Sequence, residues 1–182
     1  MNLWLRVLWV WLRAKFGAKL DMPSGTSCVE LIVLPNDLDT NLHMNNGRYL
    51  TLMDLGRLDL FVRSGLMAAL RGTGWIPILS AAKIRFRREM RLWRRFRLET
   101  RIVYWIDTSF VMEQRCIMAG KGSTEVVAAI ALMRGGIYDR KGRAFVPVEK
   151  LFERIGLPHM QPEPSDEVRA FLDAEDALKR AG

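Results

Sequence analysis

Leu34-Pro35-Asn36-Asp37-Leu38-Asp39-Thr40-Asn41-Leu42-His43-Met44-Asn45-Asn46-Gly47-Arg48-Tyr49-Leu50 is the stretch that decides the reading of this chain. A β-rich run, Val29–Leu34, precedes it, and a helical pattern starts directly after it. Asp39, Asn41 and His43 stand at alternate positions, so a carboxylate, an amide and an imidazole fall within five residues. A turn that feeds a helix N-terminus is suited to developing negative charge, because the first backbone N–H groups of a helix lack intrahelical partners. The plainer reading is also open at this point. Asp, Asn and His favour turns because their side chains bond nearby backbone, and Asn45 or Asn46 can serve as an N-cap.

Working outward, the helical pattern runs from Asn45 to about Ser64. Tyr49, Leu52, Met53, Gly56 and Leu60 share one face, while Arg48, Arg57 and Arg63 lie mostly elsewhere. Gly56 on that face lets the helix approach a sheet closely, and Gly65 is a fitting residue to stop it. After Gly72-Thr73-Gly74 the period changes to two. Strands are predicted over Pro77–Arg87, Phe96–Ile106, Phe110–Met118 and Thr124–Tyr138, the last one central. Asp139-Arg140-Lys141-Gly142 is a turn, and Val148–Ile155 is a short helix. One strand, one long helix and four further strands predict an α+β fold, an antiparallel sheet around a single central helix.

The full run D-L-D-T-N-L-H-M-N-N-G-R-Y resembles the D-x-D-x-N-x-H-[VM]-N-N-x-x-Y signature of hotdog-fold acyl thioesterases. That superfamily includes the 4-hydroxybenzoyl-CoA type and the plant acyl-carrier-protein enzymes. The L-P-x-D-L-D-x-x-x-H-M-N-N-x-R-Y-L pattern is most similar to the thioesterase superfamily member six group. The resemblance covers about residues 28–155 and implies a hotdog fold with thioester hydrolysis. It assigns Asp39 the role of nucleophile or base, attacking the acyl carbon to give an anhydride or activating water. Asn41 and His43 match the Asn and His that orient water and the acyl group. His43 can also protonate the departing thiolate. The oxyanion is expected on backbone N–H groups around Asn45, Asn46 and Gly47. Asp37 and Tyr49 are expected in support, Asp37 holding the loop rather than reacting.

A second segment, Phe86-Arg87-Arg88-Glu89-Met90, resembles the Y-R-R-E-C run of the plant enzymes. Glu89 matches an active-site glutamate there. Met90 stands in the place of the cysteine, so no thiolate acts at that position. The resemblance further implies homodimers or homotetramers with sites at the subunit junction.

The chain has 182 residues, 49% of them hydrophobic, enough for one domain with a full core. Residues 23–156 are expected to form it, after an N-terminal segment 1–22 and before a tail 157–182. Cys28 and Cys116 make no metal-spaced pair or disulfide framework, and both read as buried thiols. Neither a metal nor another cofactor is expected. The net charge of +8 is concentrated between Lys83 and Arg101, where nine basic residues outnumber Glu89 and Glu99. We read this as one basic hairpin, with Arg85, Arg87 and Arg88 placed to meet coenzyme A or carrier-protein phosphates. No nucleic-acid-binding pattern accompanies the charge.

Residues 2–16 predict a helix that is apolar almost all round, with Asn2, Arg6 and Arg13 as a narrow polar stripe. It is shorter than the roughly 20 apolar residues that span a bilayer. Trp4, Trp9 and Trp11 with Arg13, Lys15 and Lys19 suit membrane-surface contact through residues 1–20; packing on the domain or a partner is the other reading. A cytoplasmic protein, peripheral on the membrane, is expected. The tail is Pro-rich at Pro158, Pro162 and Pro164 before a helix capped by Ser165.

Three other functions compete with acyl-CoA hydrolysis. One is hydrolysis of acyl-acyl-carrier-protein. Another is enoyl-CoA hydration, whose D-x-N-P-x-H pattern differs in spacing and in its proline. The third is a non-catalytic, membrane-associated lipid-binding role. The depth of an acyl pocket is expected to follow from how Leu66, Met67 and Trp75 pack.

Overall fold

A computed structural model describes residues 3–122, 124–157 and 161–181. Asn2 and Pro158 lie outside the described residues. The elements run α1 (Leu3–Phe16), β1 (Ser27–Ile32), α2 (Asn46–Arg63), α3 (Leu66–Ala69), β2 (Trp75–Phe86), β3 (Arg95–Ile106), β4 (Ser109–Ala119), β5 (Glu125–Asp139), β6 (Ala144–Val146), α4 (Val148–Ile155) and α5 (Asp166–Ala181). All strand pairings are antiparallel, in the order β1-β3-β4-β5-β2, with β6 beside the end of β5.

The predicted face of α2 is the buried one: Tyr49, Leu52, Met53, Gly56 and Leu60 all face inward. Tyr49, Leu52, Met53 and Leu60 join Val29 and Leu31 of β1, Phe96 and Leu98 of β3 and Met133 of β5 in one core. Gly56 is where helix and sheet come closest. A Cβ there would sit 2.3 Å from Thr100 Oγ1 and 2.9 Å from Leu98 Cδ2. The contact is polar beneath the helix. Gln114 Nε2 donates to Met53 O (2.9 Å) and Thr100 Oγ1 (2.8 Å), and its oxygen accepts from Arg57 Nη1. The buried acid of α2, Asp59, accepts from Ser27 Oγ at 2.6 Å. These buried polar groups beneath α2 are thus satisfied, which keeps the close approach from costing a desolvated donor or acceptor. Gly65, at φ +85°, sits in the left-handed region just past the helix.

The sheet's outer face carries a second, smaller cluster. Val111 points away from Phe110 and Met112 of the main core, as strand alternation requires. With Tyr104 it packs against Val168 and Phe171 of α5. That places the tail helix across the sheet, opposite α2.

Three sequence expectations change. The arginine-rich segment is not a hairpin. β2 pairs with β5 at one end of the strand order and β3 pairs with β1 and β4 towards the other, so the 87–94 connection crosses the end of the sheet. The central position belongs to β4, while β5 is an interior strand next to the edge strand β2. In α1 the polar stripe is split, with Arg13 exposed and Arg6 turned inward. Arg6 is buried with Val10 and Ala14, whereas Trp4 (74% exposed), Leu5, Leu8, Trp9, Leu12 and Phe16 (79%) face out. Among the described residues no helix is long and apolar enough to cross a membrane.

Candidate active site

The site loop begins at a 3-10 turn, Pro35–Asp37, and ends at the N-cap of α2. Its two ends are pinned together by Leu38↔Met44 bridging and by Asn45 N–H donating to Asp37 O at 2.8 Å. Between them the chain forms a tight hairpin. Asp39 N–H donates to His43 O (2.8 Å) and Leu42 N–H to Asp39 O (3.1 Å). Leu42 takes φ +60° at the tip, a conformation that branched or bulky residues rarely adopt. Such outliers persist where surrounding bonds over-determine them, commonly at functional sites.

Asp37 and Asp39 lie two residues apart in opposite environments. Asp37 is 0% exposed. Its carboxylate meets Arg6 Nη2 of α1 at 2.7 Å, Arg48 Nη2 of α2 at 2.8 Å and Leu34 N–H at 2.9 Å. Burial alone would raise this acid's pKa, but the hydrogen bonds from Arg6, Leu34 and Arg48 together hold it below the usual carboxylate range. Asp39 is only half-buried. Its Oδ1 accepts from Asn41 N–H (2.9 Å) and His43 N–H (3.3 Å), and neither bond uses Oδ2.

His43 Nε2 lies 2.9 Å from Glu89 Oε2. Glu89 in turn pairs through its other oxygen with Arg91. Backbone contacts seat this partner segment beside the loop: Met44 N–H donates to Met90 O at 2.8 Å, and His43 bridges Arg91. Met90, which replaces the cysteine of the plant pattern, is fully buried and anchors the segment by packing. The fold therefore brings Asp39, His43 and Glu89 to one place, and the exposed Asn41 with them. Arg6 and Arg91 are the members that sequence reasoning missed.

At the helix start, Asn45 is the N-cap. Its Oδ1 accepts from Gly47 N–H (2.8 Å) and its carbonyl from Arg48 N–H (2.9 Å). Of the three residues expected to donate to an oxyanion, Asn45 and Gly47 have their amides committed, and none of these bonds uses the Asn46 N–H. The Asp37 carbonyl takes the Asn45 N–H and the cap side chain takes the Gly47 N–H, which leaves the Asn46 N–H of the expected trio. Tyr49 is buried and stacks edge-on with Phe86, ring centroids 5.0 Å apart. Burial pushes its phenol up to about 12. It supports the helix by packing.

The basic segment divides by pairing. Arg97 is tied to Glu99 and Glu125, Arg101 to Glu113 and Arg91 to Glu89. Arg85, Arg87 and Arg88 are exposed and make no ion pair among the described residues. Arg87 and Arg88 follow β2 directly, each donating its N–H to Ala128 O. An apolar cavity of about 280 Å³ lies between α2 and the edge strand β2, lined by Leu58, Phe61, Met67, Phe110 and Met112, with Arg57 and Asp54 paired beside it. Met67 lines this space. Leu66 is instead buried in the core, and Trp75 stacks with Lys150 and Arg154 of α4.

Burial pushes the Cys116 thiol up to about 12 and raises that of the half-buried Cys28, so neither supplies a thiolate at neutral pH. No group of three His, Cys, Asp or Glu side chains able to hold a metal occurs among the described residues.

Residues 33–170 match the model of the thioesterase-like superfamily. Protein THEM6 of Xenopus laevis is 41% identical over 103 residues, 57% of this chain and 48% of the frog protein. Protein THEM6 of Danio rerio is 37% identical over 133 residues, 73% of this chain and 64% of the fish protein. The matched part of the chain thus spans about half to under two thirds of these relatives. Among solved structures, YbaW, a probable thioesterase from Escherichia coli, superposes with a TM-score of 0.64 at 22% identity, covering 71% of this chain and 96% of that one. The 4-hydroxybenzoyl CoA thioesterase from Pseudomonas superposes with a TM-score of 0.63 at 15% identity, covering 71% and 98%. At these identities the likeness is one of fold. The antiparallel sheet around α2 is the hotdog fold.

Proposed function

This chain belongs to the thioesterase-like superfamily, and on that premise we propose that it hydrolyses an acyl-CoA thioester to free acid and thiol. One observation carries the reading. A half-buried Asp39, its Oδ1 fixed by two loop amides, stands on the loop that ends at the N-terminus of α2, with the His43–Glu89 pair beside it. Thioester cleavage requires attack on the carbonyl carbon, stabilisation of the oxygen that becomes negative, and protonation of the leaving sulfur. Asp39 supplies the attack through Oδ2, directly or by taking a proton from water. The Asn46 N–H and the positive end of α2 receive the oxyanion. Glu89 fixes the tautomer and direction of His43, which carries the proton to the thiolate. Asn41, exposed at the mouth, orients water or the acyl carbonyl.

Arg85, Arg87 and Arg88, exposed and without ion pairs, are the cations we assign to the diphosphate of coenzyme A. β2 ends the sheet with an open edge of 12 residues. Ile76, Leu79 and Phe86 are exposed along it. Such an edge ordinarily needs covering. We assign it to a second copy in a homodimer, which also closes the apolar cavity beside β2 as a seat for the acyl group. The outward tryptophan and leucine face of α1, with Arg13 over Trp9 and Lys15 over Trp11, is assigned to a membrane surface.

Thiol release from matched acyl-CoA and acyl-carrier-protein substrates tests the reading. Faster release from the CoA esters supports it. Release confined to the carrier-bound substrate moves the chain to the acyl-carrier-protein class, and release from neither rejects hydrolysis.

A further inference from the structure

We propose that Arg6, on the N-terminal helix, is a positioning residue for the site loop and acts on the reaction through Asp37; the inference rests on the hydrolase reading. Arg6 is 3% exposed, an unusual place for a guanidinium on a helix whose outer face is tryptophan and leucine. Three of its five N–H groups are used there. Nη2 donates to Asp37 Oδ2 (2.7 Å) and to Ile32 O (3.0 Å), and Nη1 donates to Asp37 Oδ1 (3.3 Å). Only a planar fork serves two carboxylate oxygens and a carbonyl together; a lysine ammonium lacks that geometry.

Asp37 is the fixed point of the loop. Arg6 holds it from α1, Arg48 from the first turn of α2, and Leu34 N–H from its own turn. The Asp37 carbonyl also accepts from Asn45, the cap that sets where α2 begins. Asp39 follows two residues later, and its N–H and C=O close the hairpin onto His43 and Leu42. The distance between Asp39 and the start of α2 is therefore set at Asp37. With Arg6 removed, Asp37 keeps the Leu34 N–H of its own turn and, from another element, only the one-sided pull of Arg48, which is partly exposed. The loop base is then free to shift toward α2. A misplacement of about 1 Å far from the reacting atoms can cost about 10²-fold in rate.

The test uses the full chain with Arg6→Lys, Arg6→Ala and Val10→Ala. Val10 is buried on the same helix, so its truncation loosens α1 by packing alone. Each protein is assayed below its own melting point for kcat and KM on an acyl-CoA. Amide hydrogen exchange of residues 37–45 is followed without substrate. Both Arg6 variants are expected to lose roughly 10- to 100-fold in kcat with KM within about twofold, and to exchange faster at Asp39, Leu42 and Asn45. Val10→Ala is expected to melt lower, with kcat and loop exchange unchanged. Full kcat in Arg6→Ala, or an equal fall in kcat for Val10→Ala, would overturn the positioning role. A wild-type chain that turns over no thioester, while Arg6→Ala still loosens the loop, would overturn the hydrolase reading and leave Arg6 as the anchor of the loop.

Discussion

The base and the tip of the site loop are built on opposite principles, although Asp37 and Asp39 are separated by one residue. At the base, Asp37 is buried, bonded to two arginines and a backbone amide, and held ionised. At the tip, Asp39 has one oxygen steadied by its own loop, and His43 and Glu89 are partly exposed. The base spends its carboxylate on structure and the tip keeps one for chemistry. A buried ion pair fixes geometry at the cost of desolvation, whereas a group that must meet substrate has to stay reachable. Loss at the base is therefore expected to appear as instability, with any fall in rate following from a loosened loop, and loss at the tip as lost rate in a stable protein.

Asp39→Ala should separate the two most widely: turnover falling about 10²–10⁴-fold, the range for a positioned acid or base, with an unchanged melting curve. Asp37→Ala is the converse. It strands Arg6 in the interior and should cost about 3–5 kcal/mol by denaturant titration. An Asp37→Ala protein as stable as wild type would break the comparison.

Acid sharpens it. The folded pKa of Asp37 is depressed, so its contribution to stability is fully present above the unfolded value of about 3.9. It is lost as pH falls from there through the folded pKa. Asp37→Asn should flatten that part of the stability–pH curve; an acid transition identical to wild type would remove Asp37 as its source.

Smaller effects come from the exposed groups. Alanine at Arg87 and Arg88 should raise KM for acyl-CoA roughly two- to fivefold per cation, in line with exposed ion pairs, with the difference shrinking in added salt. A KM that ignores both cations and salt would take the diphosphate elsewhere. Glu89→Gln should lower kcat by about fivefold or less, the scale of an exposed pair, and leave melting unmoved. A loss as large as that of Asp39→Ala would make Glu89 a reacting group rather than an orienting one.

What could be read from the sequence follows the range of the interactions. The face of α2 was legible because Tyr49, Leu52, Met53, Gly56 and Leu60 obey a local period, and the strands because alternation is local too. Asp39, Asn41 and His43 were legible only as a motif, since their spacing alone also fits an ordinary turn. Arg6 reads in the sequence only as one member of a narrow polar stripe. Its partner lies 31 residues away, and no local pattern announces that a cation will be the inward residue of an apolar helix. The arginine segment was misread as a hairpin because strands adjacent in sequence usually pair. Here β2 and β3 take places apart in the strand order, and the connection instead delivers Glu89 to His43. The three-residue β6 is too short for alternation to register. The cap bond that commits the Gly47 amide depends on the Asn45 rotamer, and the bond that commits the Asn45 amide depends on how the loop closes onto Asp37; a string of residues carries neither.

The most direct test is thiol release from a panel of short, medium, long and aromatic acyl-CoA esters, run with wild type and Asp39→Ala side by side and with melting curves on the same samples. The account predicts turnover in the wild type, its loss in Asp39→Ala, and coincident melting curves. Equal turnover in the two proteins, or a loss matched by a lower melting temperature, would contradict it.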